Sequence, residues 1–191
     1  MTCILVHFRQ HYESYGANDY MDGIELLKND HKKILHLINE LINQDTGKVK
    51  QTDQESGRQH SKMFGKLRET LIQHLDIEER TLFLNLKGFL DARMLVDECY
   101  RDHKEIDETL KKIEKLPEET QRDGCAGLLA ELELRVQTYV VREEDWLFPK
   151  AKLVLGDAKL EEMFFEIEQT KSNQSEIDSL ILPADRFGVC L

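Results

Sequence analysis

The sequence is poor in residues that interrupt helices. Its 191 residues include 3 prolines and 10 glycines, too few to punctuate many short strands, and no run of alternating β-branched residues stands out. It lacks any window of about 18 apolar residues, so nothing in it is expected to span a bilayer. The opening segment, Met1 to Arg9, lacks the basic leader and the longer apolar stretch of a secretion signal. Cysteine is scarce. Cys3, Cys99, Cys125 and Cys190 show no CxxC or paired spacing, so reduced thiols and a cytoplasmic location are expected. Positive charge is in deficit, with a formal net charge of −11. Such a surface repels phosphate backbones and anionic lipids, which argues against nucleic acid and membrane partners.

What is present is helix-forming. Glu, Lys, Leu and Ile are plentiful, and the length suits one domain that buries roughly two thirds of its unfolded surface. Residues 1–20, with His7 and His11, show no helical period and are read as an N-terminal extension. From Asp22, Ile24, Leu27, His31, Ile34, Leu35, Ile38 and Ile42 recur at spacings of three and four, a one-sided stripe. Asn43 to Thr52 is polar and contains Gly47, which predicts a loop. A second stripe carries Phe64, Leu67, Leu71, His74, Glu78 and Leu82 and ends near Gly88. A third, with Asp91 as its expected cap, carries Leu95, Cys99, His103, Ile106, Leu110 and Ile113 up to Pro117.

The fourth stripe runs through Leu129, Leu132, Val136, Tyr139, Glu143 and Leu147, with an expected break near Gly124 and a kink or end at Pro149. A short amphipathic helix through Leu160, Met163, Phe164 and Ile167 is expected after Gly156, followed by a tail over 171–191. Long helices joined by short polar loops predict an all-α, antiparallel up-down-up-down four-helix bundle over 21–170.

Every stripe has polar residues where an apolar one belongs: His31; His74 and Glu78; His103; Tyr139 and Glu143. A buried unpaired carboxylate costs several kcal/mol, about 3–5 when a partner is lost. Two carboxylates with imidazoles on four seams call for a partner of high positive charge, and a metal cluster meets that need. His74 and Glu78 stand four residues apart, one turn on one face, and Tyr139 and Glu143 repeat the spacing. The surroundings repeat too: His74-Leu-Asp-Ile-Glu78-Glu79-Arg-Thr-Leu82-Phe83 against Tyr139-Val-Val-Arg-Glu143-Glu144-Asp-Trp-Leu147-Phe148. This shared form predicts a local pseudo-two-fold site. Oxygen and imidazole donors without thiolate pairs suit iron or manganese better than structural zinc.

Other candidates are read as structural. His36 points about 140° away from His31, and His60 lies about 21 Å along the axis from His74. Glu79 and Glu144 are expected at the surface or behind the ligands. Cys99, one turn before His103, reads as a packed thiol, and Trp146 and Phe148 as packing groups.

At these residues the sequence resembles the hemerythrin family in its HHE cation-binding form, over about 22–170. Asp30-His31-Lys-Lys-Ile, His74-x3-Glu78, Asp102-His103-Lys-Glu-Ile and Glu143-Glu144-x-x-Leu-Phe-Pro149 look like its four motifs, in order and at helix-sized separations. The resemblance implies a non-haem site with two iron ions that meets O2, NO or peroxide, or senses iron. His31, His74, Glu78, His103 and Glu143 take ligand roles by position. Tyr139 stands where the family usually has His, and Cys99 where oxygen-carrying hemerythrins have a second His. Tyr139 therefore has two readings, a core tyrosine hydrogen-bonded to a carboxylate or a phenolate ligand. Three functions stay open: a binding or sensing di-iron protein, a di-iron enzyme consuming peroxide or NO, and a metal-free or zinc-bound helical module for protein partners.

Overall fold

The computed structural model describes residues 22–45, 53–116 and 121–180. The N-terminal extension, most of the first loop, Pro117 and residues 181–191 lie outside the described residues. Those described are helical throughout apart from short turns, with no strand among them. Helix α1 spans Gly23–Asp45. Helix α2 joins Asp53–Glu78, a π turn at Glu79–Phe83 and Leu84–Leu86. Helix α3 spans Leu90–Glu114. Helix α4 joins Gln121–Arg142, a π turn at Glu143–Leu147 and Phe148–Leu155. Helix α5 spans Asp157–Leu180.

The first four helices form an antiparallel ring in which α1 packs on α2 and α4, and α3 packs on α4 and more lightly on α2. Helix α5 lies along α1. Among the described residues no helix is long and apolar enough to cross a membrane.

The start of α1 is set by Asp22, whose Oδ1 accepts the Glu25 backbone N–H at 2.9 Å, satisfying a donor that the first turn leaves open. Lys152 of α4 reaches Asp22 at 3.3 Å and so ties the start of α1 to the end of α4. The cap of α3 differs from expectation. Phe89, in an extended conformation, precedes the helix, and Asp91 falls in the first turn, where its charge favours the positive end of the helix dipole.

Helix α4 runs through Gly124 without a break. Glycine costs a helix only about 1 kcal/mol, and burial of Cys125, Leu129 and Leu132 in the next turns outweighs it. Pro149 does not end the helix either. It falls in the first turn of the α segment that restarts after the π turn, where a missing N–H matters least. Helix α5 is longer than expected and enters the stretch set aside as a tail. From Asp157 to Leu180 it meets no glycine or proline, so nothing local stops it.

The core has two apolar clusters. One gathers Ile24, Leu27, Leu82, Phe83, Val96, Leu147 and Phe148 with Leu160, Met163 and Ile167 of α5. The other gathers Ile34, Ile38, Leu67, Leu71, Ile106, Leu110, Leu132 and Val136. On every helix of the ring the residue between the two clusters is polar, which makes one polar layer across the bundle, dry on both sides.

Candidate metal centre

The layer holds all six residues expected from the stripes. His31, His74, Glu78, His103, Tyr139 and Glu143 are all buried. His31 comes from α1, His74 and Glu78 from α2, His103 from α3, and Tyr139 and Glu143 from α4. Each imidazole turns Nε2 inward. His74 Nε2 lies 3.2 Å from Glu78 Oε1, His103 Nε2 lies 3.3 Å from Glu78 Oε2, and His31 Nε2 lies 3.3 Å from Glu143 Oε2. The Tyr139 hydroxyl donates to Glu78 Oε2. Since its proton is committed there, the His74 N–H is the donor in the 2.8 Å contact between His74 Nε2 and that hydroxyl.

The outer nitrogens are also engaged. His31 Nδ1 hydrogen-bonds Glu144 Oε1 at 2.8 Å, and His103 Nδ1 hydrogen-bonds Glu79 Oε1 at 2.9 Å. Asp30 Oδ2 faces His74 Nδ1 at 3.8 Å. The rings that follow the two Glu-Glu pairs pack on the same histidines. Phe148 stacks on His31, with centroids 5.6 Å apart and planes 8° apart, and Phe83 packs on His103 at 5.0 Å.

The repeated segment therefore does the same work twice. In α2, Glu78 enters the layer while Glu79 and Phe83 fix His103. In α4, Glu143 enters the layer while Glu144 and Phe148 fix His31. Both copies widen into a π turn at this point. A π turn inserts one residue into the helical register. That lets two consecutive glutamates serve neighbouring functions while the apolar stripe resumes beyond them.

This donor set fits a cation. Among buried side-chain atoms without a hydrogen bond are Glu78 Oε1, both oxygens of Glu143 and His103 Nε2, so the unmet capacity points into the layer. Donor atoms of His31, His74, Glu78 and Glu143 lie within 4.8 Å of one another. The description "Hemerythrin HHE cation binding domain" matches residues 22–151.

The chain belongs to the hemerythrin HHE cation-binding domain family. No curated protein matches the chain. The HHE domain thus carries a buried His/Glu group able to hold a metal ion.

Electrostatics in the domain follow from the same packing. Burial alone would lower the histidines, but the carboxylates around them outweigh it. Glu143, Glu144 and Glu78 hold His31 well above its ordinary range. Glu78 and Asp30 raise His74, and Glu78 and Glu79 push His103 up to about 9. Burial would raise Glu78, yet His74, His103 and His31 hold it well below the usual carboxylate range. Glu143 has less positive charge around it, and burial together with the Glu78 charge pushes it up to about 7. Burial, Glu143 and Glu78 push the Tyr139 hydroxyl well up. Burial and the same two carboxylates also push up the Cys99 thiol, which packs in the α5-side cluster.

Glu79 and Glu144 stand behind histidines, as the sequence suggested. Asp30 was missed in this role, although it adjoins His31 and lies buried. A carboxylate next to a stripe histidine, on the side facing a neighbouring helix, was the available signal. Trp146 departs from its packing assignment. It is 64% exposed, because the π turn rotates it off the buried face that Leu147 and Phe148 keep. His36 faces solvent beside Glu40.

Proposed function

We propose that the polar layer holds two non-haem iron ions and that the protein binds or senses O2, NO or peroxide there. In this reading His31, His74, His103 and Tyr139 are terminal ligands, and Glu78 and Glu143 bridge. One observation carries the proposal: two carboxylates from facing helices share a buried layer with three inward Nε2 atoms and a phenol, and three of the four carboxylate oxygens lack a full hydrogen-bond partner. Anionic oxygens persist in such a place when multivalent cations lie between them. Bound iron would supply the redox and ligand-binding chemistry.

The protein's own residues supply the rest. Glu79 and Glu144 hold the proton of His103 and His31 on Nδ1, which keeps Nε2 free to point inward. Phe83 and Phe148 fix the ring planes, and the flanking apolar clusters exclude water. Tyr139 fits a phenolate ligand because it occupies the slot opposite His74, and a metal lowers a phenol pKa of about 10 on binding. Residues 21–170 act as the functional unit. The buried, reduced thiols Cys99 and Cys125 suit a cytoplasmic location.

The test is metal analysis with an optical spectrum, after expression in iron-replete cells, under air and under dithionite. The expected result is close to two irons per chain and a visible charge-transfer band that bleaches on reduction. Fewer than one iron per chain would defeat the proposal. Repeated turnover of peroxide or NO under reducing conditions would move it from binding to catalysis.

A further inference from the structure

Helix α5 lies beyond the family match, which ends at residue 151, yet it reaches the metal layer. Its stripe of Leu160, Met163 and Ile167 is buried, and the next position on that stripe, four residues on, is Lys171. Its side chain is 24% exposed, and its Nζ lies 2.6 Å from Asp30 Oδ2. The docking of α5 leaves little slack. A Cβ at Gly23 would stand 2.9 Å from the Met163 Cβ and 3.2 Å from the Phe164 backbone nitrogen, so α5 rests directly on the α1 backbone.

Asp30 Oδ2 is the same oxygen that faces His74 Nδ1, at 3.8 Å. The other two histidines have closed onto their acceptors, at 2.8 and 2.9 Å. His74 has not, and its buried Nδ1 is without a hydrogen bond. Lys33 holds the other oxygen, Oδ1, at 3.2 Å. Oδ2 is thus placed between Lys171 and His74 and sits on Lys171, with α5 seated closely on α1 at Gly23.

We propose that Lys171 is a positioning residue that withholds Asp30 from His74, so that metal occupancy of the layer and docking of α5 oppose each other. The proposal rests on the reading that His74 is a ligand. A metal on His74 Nε2 makes Nδ1–H a stronger donor and draws Asp30 toward it, which weakens the tether to α5. By linkage, an α5 held by Lys171 weakens metal binding by the same factor. Helix α5 is then the part of the molecule whose docking reports the state of the centre.

The test uses the full chain and ferrous iron. Lys171→Met and the softer Lys171→Gln are expected to bind ferrous iron several-fold more tightly than the natural protein and to lower the midpoint potential of the loaded protein. Both a freed Asp30 and the loss of a nearby positive charge act in that direction. Lys171→Arg restores the natural values, and Lys159→Met, on the same helix but paired with Glu162, leaves them unchanged. Asp30→Asn has the opposite sign, a loss of roughly 10–100-fold in affinity, as for other partners behind metal-bound histidines. General destabilisation would weaken binding in every variant, so the opposed signs separate the two explanations.

In the natural protein, amide exchange over residues 160–171 is expected to quicken when iron is loaded. Unchanged or weaker affinity in Lys171→Met, or exchange that is unchanged or slowed by loading, overturns the inference while leaving the iron reading intact. Failure of the natural protein to take up iron overturns both.

Discussion

The two copies of the Glu-Glu segment are built alike but end in different charge states. Glu78 sits among three imidazoles and the Tyr139 hydroxyl and is held well below the carboxylate range. Glu143 has His31 beside it and neither oxygen hydrogen-bonded, and it is pushed up to about 7. The residue four positions earlier accounts for much of the difference. His74 brings a positive charge to the α2 copy, whereas Tyr139 of α4 spends its only proton on the opposite copy's glutamate. The repeated sequence thus sets position, and the groups facing it set charge.

The sharpest way to break that comparison is to neutralise each glutamate in turn. In the metal-free protein, Glu78→Gln leaves imidazolium charges buried without their partner and should cost about 3–5 kcal/mol of stability. Glu143→Gln resembles the neutral form that burial favours and leaves His31 its partners Glu144 and Glu78, so it should cost clearly less. Urea denaturation of both variants decides this, and equal losses would contradict the asymmetry. On the proposed iron reading, both variants should fail to take up iron.

The outer carboxylates test the likeness rather than the difference. Glu79→Gln and Glu144→Gln should weaken iron binding by similar factors, roughly 10–100-fold each, because each holds the Nδ1 proton of one histidine. A large effect at one and none at the other, by competitive chelator titration, would show that the pseudo-two-fold is only a matter of shape.

Tyr139→His makes the copies alike. It should retain iron within a few-fold of the natural affinity and abolish the visible charge-transfer band. A band that survives the substitution assigns it to another group.

The smallest expected effect is one of pH on the metal-free fold. His103, raised to about 9, binds its proton more tightly folded than unfolded. It therefore contributes stability that is fully present below about pH 6.5 and is lost as the pH rises through 9. His31 and His74 are shifted in the same direction, so their contributions are also lost as the pH rises. Glu143 adds to the loss near 7. The melting temperature of metal-free protein should fall by several degrees from pH 6.5 to 9.5, and iron loading should remove most of that slope, because metal displaces the same protons. A flat profile without metal would count against the described charge pattern.

Much of this was legible in the sequence because the helical period is strong. Four stripes with polar interruptions located the helices and the six residues of the layer, since a histidine between Leu27 and Ile34 or between Leu71 and Leu82 has to face inward. The π turns were not legible. Both lie inside continuous helix and differ from it by a single inserted residue, which changes no residue type but turns Trp146 outward. Neither Gly124 nor Pro149 produced the expected interruption, because tertiary burial and helix register overrode local preference. The link from α5 was missed for another reason. Lys171 continues an apolar stripe as a charged residue, and its partner Asp30 is 141 positions away in the chain, so no local pattern joins them.

Gly156 joins α4 to α5 with φ 74° and ψ 167°, a conformation essentially reserved for glycine. It is the single residue between Leu155 and Asp157, so the heading of a 24-residue helix is decided by one pair of backbone angles. Space beside its Cα is open, so a side chain there would meet no neighbour and would act through those angles alone. Replacing it with alanine would set strain in those two angles against the close seating of α5 on the α1 backbone.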